Sequence, residues 1–205
     1  MATLILFSGA CNSGKTTTLK AVASKLRNTG YKVNILDELI RKEITEPIDE
    51  IRKNAKAYLL LQEKIIKAKI AQEKIAINDL HTDEIYLADR AATDSIFYLE
   101  NYIDKSQLDA DNLNKFRNLH KYVHDYLTRN FWRYSLVVEF EPIAVRELDL
   151  FRPVNVDILK EYEYTCISRL NYAYSKGNGS NRIKINLKKL SLNNAVELII
   201  ECAGL

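Results

Sequence analysis

The chain has 205 residues, with 30 basic and 27 acidic side chains for a net charge of +3, and is 47% hydrophobic and 28% charged. That length holds one domain with a buried core and is short for two. The composition describes a globular chain rather than a disordered one, and its charge balance neither requires nor excludes a nucleic-acid partner. No stretch approaches the roughly 20 apolar residues needed to span a bilayer, and residues 1–10 lack a secretory pattern. Three cysteines, Cys11, Cys166 and Cys202, without metal-ligand spacing, suit a reduced compartment, so a cytoplasmic location is expected.

Residues 3–8, Thr-Leu-Ile-Leu-Phe-Ser, form a short apolar run closed by Gly9, the pattern of a buried parallel strand feeding a tight turn. The turn is Gly9-Ala-Cys-Asn-Ser-Gly14-Lys15-Thr16, a complete G-x-x-x-x-G-K-T string. Glycines there let successive backbone N–H groups curl around an anion, and the following helix aims its positive end at the same place. Lys15 is then expected to reach the β- and γ-phosphates and Thr16 to hold Mg²⁺, with Gly9, Asn12, Ser13, Gly14 and Thr17 completing an ATP cradle. The alternative is a coincidental glycine turn, but the chain has only six glycines and two fall in the required places.

Leu19, Ala21, Val22, Ala23 and Leu26 predict a helix from Lys15 to about Asn28, stopped near Gly30. Residues 32–36 predict a second strand ending at Asp37 and Glu38. Residues 48–79 are helical in pattern and long enough to break into two helices. The stretch 84–89 predicts a strand ending in Asp89, which suits a magnesium-side acid or, alternatively, a helix cap that Thr93 or Asp94 could equally supply. Helices are expected over 92–103 and 108–130, a strand over 134–140, a helix over 155–174, a turn at 176–181, a strand in 181–187 and a helix over 192–202. Strands separated by helices predict an α/β fold: a three-layer P-loop NTPase arrangement with a mostly parallel five-stranded sheet, in one domain spanning 1–205.

The acceptor of the phosphate is less legible. No N-K-x-D element for guanine is present, and the residue after Asp89 is Arg90 rather than a second acid that would activate water. A cation there grips an anion and favours transfer over hydrolysis. Residues 141–153 carry Arg146, Asp149 and Arg152 between Pro142 and Pro153, the make-up of a lid that excludes water and neutralises the transferring group; the alternative is a solvated charged connection. His120 and His124 at i, i+4 are read as a helix-surface pair, and the lysines of 64–74 with Glu63 and Glu73 as a solvated face.

These residues resemble P-loop small-molecule kinases over roughly 3–187. They are most similar to the nicotinamide riboside kinase domain of bacterial NAD-biosynthesis regulators and to related AAA-labelled ATP-binding proteins, and more distantly to thymidylate and deoxynucleoside kinases. The resemblance implies that Glu38 accepts the proton of the attacking hydroxyl, that Asp89 assists with Mg²⁺ or a sugar hydroxyl, and that Arg41 and Arg90 hold phosphate. It also implies that Gln62 reads a base through its amide, which both donates and accepts. Alternatives are a helix-edge role for Gln62 and an Arg41–Glu38 pair. The expectation is an ATP- and Mg²⁺-dependent kinase for a nucleoside- or nucleotide-like acceptor. A nucleic-acid end or modified DNA base served by Arg117, Arg129 and Arg133, a regulatory ATPase, and a homo-oligomeric assembly remain open.

Overall fold

The computed structural model describes residues 3–9, 13–37, 48–78, 83–130, 134–141 and 181–205. In chain order these form β1 (Thr3–Gly9), α1 (Lys15–Asn28), β2 (Val33–Leu36), α2 (Ile48–Arg52), α3 (Ala55–Asn78), β3 (Ile85–Asp89), α4 (Ala92–Tyr102), a 3₁₀ turn (Lys105–Gln107), α5 (Ala110–Asn130), β4 (Leu136–Phe140), β5 (Asn181–Ile185) and α6 (Leu192–Ala203). The helix expected over 155–174 and nearly all of the turn at 176–181 lie outside the described residues.

The five strands form one sheet in the order β2-β3-β1-β4-β5, every pair parallel. β1 is central, in register with β3 from Thr3↔Ile85 to Phe7↔Asp89 and with β4 from Ile5↔Leu136 to Gly9↔Phe140. A parallel strand covered on both faces needs apolar side chains on both, which is why β1, β3 and β4 appear as continuous runs instead of alternating ones. Ile5, Phe7, Leu87 and Val138 pack under α1 and α6, while Leu4, Leu6, Ala88 and Val137 face the opposite side with Ala76 and Ile77 of α3. A third cluster, including Tyr58, Leu59, Ile66, Ile96, Phe116 and Val123, joins α3, α4 and α5 to one another. Each such fully buried side chain stabilises the fold by roughly 1.5–3 kcal/mol.

The expected break in the long helix falls at Lys53 and Asn54, where the Asn54 side chain accepts the Ala57 N–H at 3.0 Å and starts α3 anew. Ser191 caps α6 in the same way, accepting the Asn194 N–H at 3.2 Å. α1 is different. Its N-cap is Gly14, with no side-chain cap and no acid in the first turn, so no side chain of its own offsets the positive end of the helix, which suits an anion. Sheet order and strand direction together bring the ends of β1, β3 and β4 to that place. The fold is a three-layer α/β sandwich around a parallel sheet.

Candidate active site

Gly9 has φ +143 and Gly14 φ +84, conformations that side-chain-bearing residues rarely adopt. A Cβ on Gly9 would meet the Phe140 carbonyl oxygen at 2.5 Å, and one on Gly14 would meet Leu187 Cδ1 at 2.4 Å. Gly9 is therefore pressed against the end of β4, and Gly14 against the segment after β5. Lys15, at the first position of α1, is only 5% exposed, and its Nζ lies 3.3 Å from Ser13 Oγ. Thr18 Oγ1 and the Thr18 N–H both bond the Gly14 carbonyl at 3.0 Å, which tightens the first turn, while Thr17 lies exposed beside it.

The hydroxyl of Thr16 donates to Asp89 Oδ2 at 2.6 Å, joining α1 to the end of β3. Asp89 is 3% exposed, and its other oxygen, Oδ1, is buried with no hydrogen-bond partner. An orphaned carboxylate oxygen costs free energy unless a cation satisfies it. Oxygen donors from a threonine and a carboxylate suit Mg²⁺, so Thr16 and Asp89 fit the metal expected from the sequence. The capping alternative for Asp89 does not hold. It is Asp94 that accepts the Ala91 N–H at 2.9 Å and closes the first turn of α4, while also accepting the Ser8 hydroxyl at 3.2 Å.

Arg90 follows Asp89 with φ +68, and it is the one non-glycine residue with positive φ among those described. Left-handed backbone costs a side-chain-bearing residue roughly 1–2 kcal/mol. Its N–H bonds the Phe7 carbonyl at 2.9 Å, and its buried guanidinium donates to the Tyr98 hydroxyl at 2.7 Å and lies 4.0 Å from Asp94 Oδ1. The sharp turn thus sends Asp89 towards α1 and Arg90 towards α4. Beyond Arg90, Tyr98 stacks with Tyr102 at 6.0 Å, Tyr102 meets the edge of Tyr58 at 6.4 Å, and the Arg52 guanidinium sits 3.7 Å over the Tyr102 ring.

Gln62 lies one turn beyond Tyr58 on α3. It is 1% exposed, not at a solvent-facing helix edge, and its Nε2 has no hydrogen-bond partner. A buried amide donor without an acceptor is a group that a ligand can satisfy. Asn12, Glu38, Arg41, Arg146 and Arg152, with residues 142–153 of the expected lid, lie outside the described residues.

One expectation needs correction. Lys69 and Glu73 are not on a solvated face: they are 4% and 0% exposed. Their spacing from Gln62 and Ile66, at positions 62, 66, 69, 73 and 76, places them on the buried stripe of α3, a signal that three neighbouring lysines obscured. Lys69 Nζ donates to the carbonyls of Leu36, Asp37 and Asp89. Burial holds the Glu73 carboxyl above the usual carboxylate range, against the pull of the Lys69 ammonium and of the Tyr134 and Tyr126 hydroxyls. His120 Nε2 lies 2.8 Å from Glu100 Oε1, and no group of three or more His, Cys, Asp or Glu among the described residues could hold a metal ion.

No described helix is long and apolar enough to cross a membrane. Residues 4–144 match the AAA domain family AAA_28. No curated protein matches the chain by sequence. Among solved structures, the chain is similar to the NadR protein in complex with NAD and AMP-PNP, with 15% identity and a TM-score of 0.63, covering 100% of this chain and 50% of that one. The NadR complex with NR gives 16% identity and a TM-score of 0.67, covering 100% and 52%. A deoxyadenosine kinase from M. mycoides with bound dATP gives 18% identity and a TM-score of 0.62, covering 98% and 100%. The chain spans about half the length of the NadR protein that it matches. It belongs to the AAA domain family and carries the α/β fold of the P-loop kinases.

Proposed function

We propose that the protein is a phosphotransferase that moves the γ-phosphoryl group of ATP, with Mg²⁺, onto a hydroxyl or phosphate of a nucleoside-like small molecule. The observation that carries this reading is the two-sided turn at the end of β3. Asp89 meets Thr16 on the α1 side, while Arg90, held in the left-handed region, faces Tyr98 and Asp94 on the other. One side is equipped for a metal-bound triphosphate. The other offers a cation for phosphate, a row of tyrosines for a flat ring and the buried Gln62 amide for its edge.

In this reading the α1 N–H groups and Lys15 bind the triphosphate, and Thr16 and Asp89 hold the metal. A bound Mg²⁺ neutralises charge that builds on the phosphoryl oxygens. Glu38 takes the acceptor's proton, Arg41 holds substrate, and Arg146 and Arg152 close over the reaction. Structures of similar fold were solved with AMP-PNP, NR and dATP, which supports an adenine nucleotide donor and a nucleoside-like acceptor. A cytoplasmic location and the possibility of a homo-oligomer belong to the same reading.

The test is transfer from labelled ATP with Mg²⁺ to a panel of nucleosides, nucleoside monophosphates, nicotinamide riboside and short DNA or RNA, beside a no-acceptor control and Lys15→Ala. One small-molecule product, lost in the variant, supports the kinase. Label on oligonucleotide alone moves the acceptor to nucleic acid, and phosphate release without any acceptor replaces transfer with hydrolysis.

A further inference from the structure

Lys69 is buried in the middle of α3, and its ammonium is spent on main-chain oxygens. Nζ donates to the carbonyls of Leu36 at 3.1 Å, Asp37 at 3.2 Å and Asp89 at 2.7 Å. An ammonium has three N–H donors, so three carbonyls match its capacity. The first two carbonyls end β2 and the third ends β3, the two strands whose following residues are Glu38 and Arg90.

The place matters physically. The β2–β3 ladder runs only as far as Leu36↔Ala88, and Asp37 and Asp89 lie just beyond it. Lys69 bridges the two strand ends where the ladder stops. One helical turn on lies the fully buried Glu73 carboxyl, faced by the Tyr126 and Tyr134 hydroxyls and the Ala92 N–H and held above the usual carboxylate range by burial. α3 therefore presents an ammonium to the carbonyl of Asp89 and a carboxyl near the N–H of Ala92, and left-handed Arg90 lies between. Apolar side chains of similar size would fill this space at least as stably as two buried ionisable groups. The Lys69 ammonium meets the backbone of the two strand ends that bear the expected chemistry.

We propose that Lys69 is a positioning residue: by binding the carbonyls of Leu36, Asp37 and Asp89 together it sets the spacing of the β2 and β3 ends, and through it the aim of Asp89 towards Thr16 and of Arg90 towards the acceptor. The part of this that concerns turnover rests on the phosphoryl-transfer reading. The part that concerns Asp89 does not, because it is read by nucleotide binding alone.

The experiment uses the full chain as wild type, Lys69→Met/Glu73→Gln, which removes both buried ionisable groups together, and Lys69→Arg. A fluorescent ATP analogue is titrated with Mg²⁺ and with chelator, thermal melting is followed separately, and transfer is measured on whichever acceptor the wild type uses. The double variant is expected to bind the metal-free analogue within about threefold of wild type while losing most of the Mg²⁺-dependent tightening. Its kcat is expected to fall about 100-fold with acceptor KM little changed, the scale of a misplacement of about 1 Å. Lys69→Arg keeps the charge but not the three-carbonyl geometry and should recover only part of the Mg²⁺ step, which keeps the test decisive if the double variant does not fold. A lowered melting temperature with an unchanged Mg²⁺ step and unchanged kcat would make Lys69 a purely structural residue and overturn the proposal. A wild type that shows the Mg²⁺ step but phosphorylates nothing sinks the kinase reading alone, and the Lys69 result then stands on the binding data.

Discussion

Thr16 and Asp89, 73 positions apart in the chain, meet through a hydrogen bond of 2.6 Å. The contact joins the start of α1 to the end of β3 and leaves Asp89 Oδ1 buried and unpartnered. Asp89→Asn should therefore keep metal-free nucleotide binding but lose the Mg²⁺-dependent component, with turnover falling about 10²–10³-fold, the usual cost of one misplaced electrostatic group. Thr16→Ser, which keeps the hydroxyl, should stay near wild type. Nucleotide titrations with Mg²⁺ or chelator check both, and an Asn variant with a full Mg²⁺ response would remove Asp89 from the metal site.

At Arg90 the backbone strain and the side-chain contacts can be separated. Arg90→Ala and Arg90→Gly both lose the Tyr98 hydrogen bond, but only glycine relieves φ +68. Arg90→Gly should be the more stable of the two by about 1 kcal/mol in denaturant unfolding. Both should be poor catalysts. Equal stabilities would mean that the left-handed turn stores no strain.

The two loop glycines differ in what blocks a side chain. Gly9→Ala drives a Cβ onto the Phe140 carbonyl oxygen, part of a rigid strand, whereas Gly14→Ala meets the end of the Leu187 side chain. Both pay for the φ angle, but Gly9→Ala should cost about 3 kcal/mol or more and Gly14→Ala less. Leu187→Ala should recover part of the Gly14→Ala loss and none of the Gly9→Ala loss. Melting curves of the four variants decide it.

Gln62 carries a test of function against stability. Gln62→Leu removes a buried donor without a partner and should stabilise the ligand-free protein by about 1 kcal/mol. The same change should raise the KM for the acceptor about tenfold, the equivalent of one hydrogen bond. A destabilised variant with unaltered KM would return Gln62 to a packing role.

Tyr134 sets an alkaline limit. Its hydroxyl is fully buried beside Glu73, and burial, together with that charge, raises its pKa well above 10. The folded state therefore keeps a proton that the unfolded chain gives up near pH 10. Stability from this residue is complete below pH 10 and is lost as pH rises towards the folded value. Tyr134→Phe should make the fall of unfolding free energy above pH 10 shallower by about 1.4 kcal/mol per pH unit, one proton's worth. Melts between pH 8 and 11 read the slope directly, and parallel curves for the two proteins would sink the assignment.

The glycine spacing of the loop, the short buried strands and the presence of a break within the long helical segment were legible in the amino-acid sequence alone. Gly9 and Gly14 at fixed spacing specify a curled backbone, and apolar runs too short for helices specify strands buried on both faces. The strand order β2-β3-β1-β4-β5, the Thr16–Asp89 contact and the left-handed Arg90 were decided only in three dimensions, because each depends on which distant segments lie side by side. Lys69 shows why most sharply. In the sequence it is one lysine among Lys64, Lys67 and Lys74, all of one chemical type. Only the rotation of α3 against the sheet turns this one inward, where carbonyls at two strand ends can satisfy a buried charge.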